Sequence, residues 1–210
     1  MDWTHRQRLV WGFLGFMFAL FVAASLAGGF YVDWLWFTSL GYADVFWRSL
    51  AGRWLVGSAG GVVFGGLLLV NLWLALRDAP LLAGAVPFPY QRLFRLRPLM
   101  LVVAALALVL GGMAGIALAQ EWLTFALLPK RVAFGVQDPL FGKDVSYYVF
   151  VVPALVAAHQ LLNAATLLSL IGAGAAYAIT GRVRLDGRWL SVHPHARVHL
   201  AVLLGFYLLL

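Results

Sequence analysis

The chain has 210 residues, of which 63% are hydrophobic and only 11% are charged, whereas about a quarter of the residues in soluble domains are charged. This composition excludes an ordinary water-soluble domain. The net charge of +7 does not predict nucleic-acid binding, because the basic residues lie in short segments between long apolar stretches. There is no cysteine, so no disulfide links these segments.

Four apolar stretches are long enough to cross a bilayer core, which takes about 20 helical residues. They lie at residues 9–32, 54–76, 99–120 and 147–178. Unpaired backbone amides are costly in hydrocarbon, and the alternating pattern of a membrane barrel is missing, so we predict helices. The stretch at 199–210 is too short to cross and is interpreted as the start of a fifth span. The predicted fold class is an all-α integral membrane protein.

An aromatic segment follows the first span, with six aromatic residues among residues 33–48. Indole and phenol rings favour the boundary between lipid headgroups and hydrocarbon, because they combine an apolar body with a polar tip. We therefore predict an outer interfacial segment, helical and lying on the membrane surface.

Glycines recur at four-residue spacing in the second and third spans. They are Gly57, Gly61 and Gly65 in the second span, and Gly111 and Gly115 in the third. This spacing creates a flat helical stripe on which a neighbouring helix can approach closely. We predict packing between helices of the same chain, and self-association through such a stripe stays open.

The basic residues are distributed unequally between alternate connecting segments, with ten on one predicted side and five on the other. By the positive-inside rule, the N-terminus is cytoplasmic and the connections at 33–53 and 121–144 face outward. The inner connection includes the basic, amphipathic segment Tyr90–Arg97, for which we predict contact with anionic lipids of the inner leaflet.

One polar cluster stands out within a predicted span. His159, Asn163 and Thr166 share a face of the fourth span, with Gln160 beside them. Intramembrane polar groups can line a proton or substrate path. The alternative, which we favour, is that they hydrogen-bond to neighbouring helices, because no Asp, Glu, Lys or Arg accompanies them within the span.

Two further clusters invite a ligand hypothesis. His193, His195 and His199 contain metal-ligating groups, but their spacing does not match a zinc pattern, and a solvated or headgroup-facing cluster is favoured. Asp138 and Asp144 supply too few oxygen ligands for calcium, so turn and cap roles are favoured. Motifs for nucleotide binding, nucleophilic catalysis and zinc proteolysis are missing, and we predict no cofactor, metal or catalytic residue in this segment.

Three stretches, at residues 33–47, 138–150 and 196–205, resemble bacterial membrane proteins grouped as uncharacterised protein family 0182. The stretches occur in the family's order, and the similarity covers nearly the whole chain. The resemblance implies a plasma-membrane protein with several N-terminal spans followed by a large extracytoplasmic domain. It implies that this chain is an N-terminal fragment, without that domain, and it supplies no catalytic or binding residues.

Three functional hypotheses follow. The first is a membrane-anchoring and scaffolding region of a larger envelope protein. The second is a subunit of a transporter or channel, with His159, Asn163 and Thr166 along the path. The third is the membrane part of an envelope enzyme whose active residues lie outside this segment. The first is favoured because the predicted spans carry no charged residue.

Overall fold

The computed structural model describes residues 5–77, 96–186 and 189–210. The basic segment Tyr90–Arg97 lies outside the described residues as far as Arg95, so its predicted lipid contact stays a prediction. The chain divides into two compact units, residues 1–51 and residues 52–210, and the boundary falls within one long helix.

Helices dominate the described residues. The α-helices are α1 His5–Ser39, α2 Ala43–Leu76, α3 Leu96–Ala119, α4 Trp122–Leu127, α5 Val152–Ile179 and α6 Pro194–Leu209. A 3-10 turn, Leu128–Lys130, extends α4, and a π-helical turn, Tyr147–Val151, precedes α5. Four helical segments are long and apolar enough to cross a membrane, namely Leu9–Ser39, Ala43–Leu76, Leu99–Ala119 and Tyr147–Ile179. The predicted number of helices with this property is therefore confirmed.

The aromatic segment is helical, as predicted, but it is divided between two long helices and does not form a separate element. Its position at the membrane surface stays a prediction. Its first residues continue α1 to Ser39, and its last residues begin α2. The break falls at Gly41, where φ is 80° and the Tyr42 N–H donates to the Phe37 carbonyl at 2.8 Å. This is a Schellman motif, which ends a helix where glycine can adopt a positive φ. No proline interrupts residues 28–39, so α1 continues through the aromatic residues.

The first unit contains a cluster of aromatic rings on either side of this turn. Phe46 of α2 is 7% exposed and lies 5.3 Å from Phe30 and 5.8 Å from Phe37 of α1, measured between ring centroids. The Phe30 contact is edge-to-face, which is a favoured aromatic geometry. These rings pack the end of α1 against the start of α2.

Within the second unit, the glycines of α2 and α3 face one another backbone to backbone. A Cβ atom placed on Gly61 would lie 2.9 Å from the Gly111 carbonyl oxygen, and one on Gly57 would lie 3.0 Å from the Gly115 carbonyl oxygen. A Cβ atom on Gly65 would lie 2.8 Å from the Ala107 carbonyl oxygen. All five glycines of the predicted stripes therefore lie where α2 and α3 approach most closely.

The buried core of the second unit continues beyond this glycine contact. Leu68, Leu72 and Ala75 of α2 pack with residues of α3, α5 and α6 in one hydrophobic cluster. Ala173 of α5 and Ala196 of α6 are both fully buried within it. The small side chains let α5 and α6 approach the end of α2 closely.

A short β-hairpin between α5 and α6 corrects the prediction of an entirely α-helical chain. Strands β1 Val183–Asp186 and β2 Trp189–Val192 pair antiparallel, with Val183 opposite Val192 and Asp186 opposite Trp189. The sequence signal is the Asp-Gly dipeptide at 186–187, flanked by alternating polar and apolar residues. The hairpin was not predicted from the sequence.

Substitution of two neighbouring glycines of α3 tests the close contact between α2 and α3. We expect Gly111→Ala to lower the free energy of unfolding by about 1–3 kcal/mol, because its Cβ atom would lie 2.8 Å from the Gly61 carbonyl oxygen. Gly112→Ala is the matched control, since nothing lies within 4 Å of its added Cβ atom. It should be neutral or stabilising by up to about 1 kcal/mol, because alanine favours helix. Unfolding in detergent micelles, followed by circular dichroism, measures both, and equal effects would contradict the packing role.

Candidate functional site

In the part of the chain that the structure describes, polar side chains from three helices come together where α2, α5 and α6 meet. Tyr177 lies in the last turns of α5, Asn71 in the last turns of α2, and His199 in the second turn of α6. They are far apart in the sequence, and the fold supplies their proximity. Tyr177 is 2% exposed, and the other two are partly buried.

Backbone hydrogen bonds explain how α6 returns to Tyr177. Gly181 has φ of 73°, and the Arg182 N–H donates to the Tyr177 carbonyl at 2.9 Å, so a second Schellman motif ends α5. The β-hairpin then reverses the chain, and the His193 N–H donates to the Arg182 carbonyl at 2.8 Å. Pro194, which suits the first helical position, begins α6. His199 is thereby placed beside Tyr177.

His199 is the centre of a hydrogen-bonded series that joins three helices. Its Nδ1 atom lies 2.8 Å from the Tyr177 hydroxyl oxygen, and its Nε2 atom lies 3.0 Å from Asn71 Oδ1. Asn71 Nδ2 donates to the Leu67 carbonyl at 2.7 Å, which turns Oδ1 toward the imidazole. An amide oxygen only accepts, so Nε2 carries the proton and donates. The neutral ring then accepts a hydrogen bond from the Tyr177 hydroxyl at Nδ1.

Arg182 lies against the same tyrosine and against the end of α2. It is 8% exposed, its guanidinium lies 5.7 Å from the Tyr177 ring centroid, and its Nη1 atom donates to the Ala75 carbonyl at 3.5 Å. The Ala75 carbonyl belongs to the last turn of α2, where carbonyl groups lack helical N–H donors. A cation at this position also interacts favourably with the helix dipole. Arg77, which follows α2, lies with its guanidinium 5.9 Å from the Trp73 ring centroid.

A cavity of about 380 Å³ opens beside these residues. Its polar lining consists of Arg77, Tyr177, Arg182, His195 and His199. The rest of its wall is apolar and is formed by α2 and the start of α6. Basic side chains and apolar surface therefore meet in a single cavity, which suits a ligand with an anionic group attached to an apolar body.

The three polar residues that were predicted to share a face of the fourth span are not gathered into one polar site. His159 is exposed, Asn163 is half-buried, and Thr166 is 3% exposed. The Thr166 hydroxyl donates to the Leu162 carbonyl of its own helix at 2.7 Å. In the part of the chain that the structure describes, no hydrogen bond joins these three side chains to one another.

The histidines at 193, 195 and 199 separate into two groups. His193 and His195 are exposed and stacked, with ring centroids 5.6 Å apart and planes at 18°. His199 points into the helix junction, where hydrogen bonds occupy both of its nitrogens. Over residues 5–77, 96–186 and 189–210, no group of three or more His, Cys, Asp or Glu residues is placed to hold a metal ion.

The carboxylates of the connection before α5 have the predicted turn and cap roles. Asp144 accepts backbone N–H groups from Phe134, Gly135 and Ser146 at 2.8–3.1 Å. The Ser146 side chain and these N–H groups lower the pKa of Asp144 from 3.8 to about 2. Asp138 accepts from the Phe141 N–H at 2.8 Å.

The Phe141 N–H, and to a smaller extent the Tyr148 hydroxyl, hold the pKa of Asp138 below its ordinary value. The turn itself closes at Gly142, where φ is 62° and the N–H donates to the Asp138 carbonyl at 2.8 Å. The Asp-Pro-Leu-Phe-Gly stretch of the sequence therefore forms the turn that its residue types predict.

The model of the uncharacterised protein family UPF0182 matches residues 10–210. The chain belongs to this family. This confirms the family resemblance that was predicted from the sequence. UPF0182 proteins of two bacterial species illustrate the similarity: one of Saccharopolyspora erythraea is 34% identical over 99% of the chain, and one of Mycobacterium tuberculosis is 36% identical over 99%.

The chain spans only about a fifth of the length of these UPF0182 relatives, 22% of the first and 21% of the second. A relative of Mycolicibacterium paratuberculosis, 33% identical over 99% of the chain, is likewise covered over 21% of its length. No solved structure matches the chain. The family description assigns no activity.

The junction of Asn71, Tyr177 and His199 was not predicted from the sequence. Asn71 is a lone polar residue near the end of an otherwise apolar stretch, and Tyr177 lies near the end of another. A signal existed, because both lie within seven residues of an arginine at a span end, on the same predicted side of the membrane. Without the pairing of the helices, that signal does not indicate a contact.

Replacement of His199 tests whether the junction stabilises the fold. His199→Leu leaves Asn71 Oδ1 and the Tyr177 hydroxyl without their partner, so we expect the free energy of unfolding to fall by about 1–3 kcal/mol. His193→Leu, at an exposed position, should change it by less than about 0.5 kcal/mol. Thermal unfolding in detergent measures both variants. Equal stability of the two would show that the hydrogen bonds contribute nothing.

The titration of Asp144 tests the connection before α5. Because its folded pKa lies below the ordinary value of 3.8, Asp144 stabilises the fold fully above pH 3.8 and loses this effect as the pH falls through about 2. Carbon-13 NMR of the side-chain carboxyl should give a midpoint near 2. Ser146→Ala should raise this pKa, whereas Ser58→Ala, which removes a hydroxyl bonded within α2, should not. A midpoint near 3.8 in the unmodified chain would refute the assignment.

Proposed function

We propose that this chain is the membrane-anchoring and scaffolding part of a larger bacterial envelope protein, embedded in the plasma membrane with its N-terminus in the cytoplasm. The observation that supports it best is the set of four helices with the length and apolarity of membrane spans. The relatives are about five times as long as this chain, which supports the part of the proposal that assigns it to a larger protein.

Exposed apolar side chains support the membrane location. Val62 of α2 is 73% exposed, Leu108 of α3 is 77% exposed, and Ile171 of α5 is 58% exposed. Soluble monomers rarely expose apolar surface of this extent on several helices. In a bilayer the same side chains would contact lipid at no cost.

The charge distribution supports the orientation. Arg6 and Arg8 precede α1, and basic residues are concentrated in the connections around 77–97 and 182–197. The connection around residue 140 carries fewer basic residues and several carboxylates. By the positive-inside rule, the first group of segments faces the cytoplasm and the second faces outward.

Transport and enzymatic functions are supported less well. A path along His159, Asn163 and Thr166 would need these residues to line one channel, and Thr166 instead bonds to its own helix. The polar junction of Asn71, Tyr177 and His199 lies at one end of the helices, where it joins them together. Scaffolding accounts for that placement, because hydrogen bonds between helices fix how they assemble.

The natural lack of cysteine makes a direct test simple, because each introduced cysteine is the only thiol in the chain. We expect a membrane-impermeant maleimide to label Leu140→Cys in intact cells, because this side chain is 79% exposed on the outward connection. Arg184→Cys, exposed on β1, should be labelled only after permeabilisation. Ile171→Cys should stay unlabelled in both conditions, because lipid surrounds it despite its 58% exposure.

Each labelling outcome tests a different part of the proposal. The opposite pattern at residues 140 and 184 would reverse the orientation. Labelling of Ile171→Cys to the level of Leu140→Cys would show that α5 is not in the bilayer. A soluble reporter fused after Leu210 should remain with the membrane after carbonate extraction, and its release would contradict the anchoring role.

A further inference from the structure

The cavity at the junction of α2, α5 and α6 concentrates positive charge. Arg77 and Arg182 both line it, and the exposed His195 lies at the start of α6. Among the described residues, no Asp or Glu contributes to its wall. The cavity is therefore electrostatically suited to an anion, and most strongly to one that can accept several hydrogen bonds.

The start of α6 adds to this preference. Pro194 and His195 line the cavity, and no side chain caps the helix. The backbone N–H groups of a first helical turn lack helical acceptors, and the helix dipole places partial positive charge there. This effect alone would not identify a site, but it acts at the same cavity as the two arginines.

Tyr177, which forms one wall of the cavity, is held in place by its neighbours. Tyr177 is 2% exposed, its ring lies beneath the Arg182 guanidinium, and His199 holds its hydroxyl at 2.8 Å. Arg182 is itself placed by the Schellman motif that ends α5 and by its bond to the Ala75 carbonyl. A preorganised basic group loses little conformational freedom when it binds a ligand.

Apolar groups form the remainder of the cavity. Leu74 of α2 and Val198 of α6 line it, and Val198 is 63% exposed, so it lies at the rim. A soluble anion such as inorganic phosphate would gain nothing from these side chains. A phospholipid carries its phosphate next to glycerol and acyl chains, so it can contact the arginines and the apolar rim together.

We propose that the cavity between α2, α5 and α6 binds the headgroup phosphate of an anionic phospholipid, with Arg77 and Arg182 as its basic contacts and Leu74 and Val198 against its glycerol and acyl region. Basic pockets between membrane helices on the cytoplasmic side bind lipid headgroups in this way. The inference rests on the proposed function, because it needs the ends of α2 and α5 to lie at a surface of the membrane.

The test uses the full chain, purified in a non-ionic detergent, with native mass spectrometry as the readout. Dioctanoyl phosphatidylglycerol is the lipid probe, dioctanoyl phosphatidylcholine the zwitterionic comparator, and inorganic phosphate the soluble anion. Arg77→Gln removes one basic contact at an exposed position, so the fold should be preserved. Arg197→Gln is the matched control, because it removes the same charge from α6 at an exposed residue outside the cavity.

We expect phosphatidylglycerol to bind in preference to phosphatidylcholine. Arg77→Gln should lower its affinity by about fivefold, and Arg197→Gln should leave it unchanged. Val198→Trp, which fills the rim without removing a charge, should also weaken lipid binding. Circular dichroism of each variant establishes that it is folded.

Three results would overturn the proposal. The first is an equal loss of lipid binding in Arg77→Gln and Arg197→Gln, which would indicate attraction by net charge only. The second is lipid binding that Val198→Trp and Arg77→Gln both leave unchanged. The third is binding of inorganic phosphate without binding of the lipid, which would assign the cavity to a soluble anion.

This assay is independent of the cysteine labelling. Detergent-purified protein has no inner and outer side, so lipid binding can fail while the labelling still supports the membrane anchor. Conversely, a reversed labelling pattern with intact lipid binding would move the site to the outer leaflet. The two failures are therefore distinguishable.

Discussion

Close approach of backbones is the contact on which the arrangement of α2 and α3 depends. In a lipid surrounding, helices gain little from the hydrophobic effect when they associate, so dense van der Waals contact must hold them together. Gly61 and Gly111 lie so close that a methyl group on either would meet the carbonyl oxygen of the other within 2.9 Å. The contact fixes the position of α2, whose following turns then carry Leu68 and Leu72 into the shared core.

Polar contacts add specificity at the end of this packed region. Asn71 lies on the last turns of α2 beyond the glycine stripe, and His199 connects it to Tyr177 of α5. A hydrogen bond tolerates less displacement than apolar packing does, because its strength falls steeply with distance and angle. The glycines therefore set how near the helices lie, and the junction fixes their register and rotation at that end.

The sequence predicts those parts of this structure that depend on interactions between residues close together in the chain. The four long apolar helices were predictable, because apolar length and backbone hydrogen bonding act within one segment. The aromatic segment was predicted to be helical, but its division between α1 and α2 was not foreseen, because the single residue Gly41 separates the two helices. Asn71 and His199 are 128 residues apart, and no periodic pattern connects them. His159 and its neighbours were conspicuous in the sequence, yet the helix turns His159 to the exposed surface.

The hairpin between α5 and α6 has a consequence for how chains of this kind can vary in length. Val183 pairs with Val192, and the adjoining bond from the His193 N–H to the Arg182 carbonyl closes the base of the hairpin beside the junction. Added residues between Asp186 and Trp189 would lengthen the distal end and leave this base intact. A single residue added between Val192 and Pro194 would displace the start of α6 from the base of the hairpin and carry the His199 imidazole away from Tyr177. Insertions and deletions during divergence should therefore accumulate at the tip and be eliminated at the base.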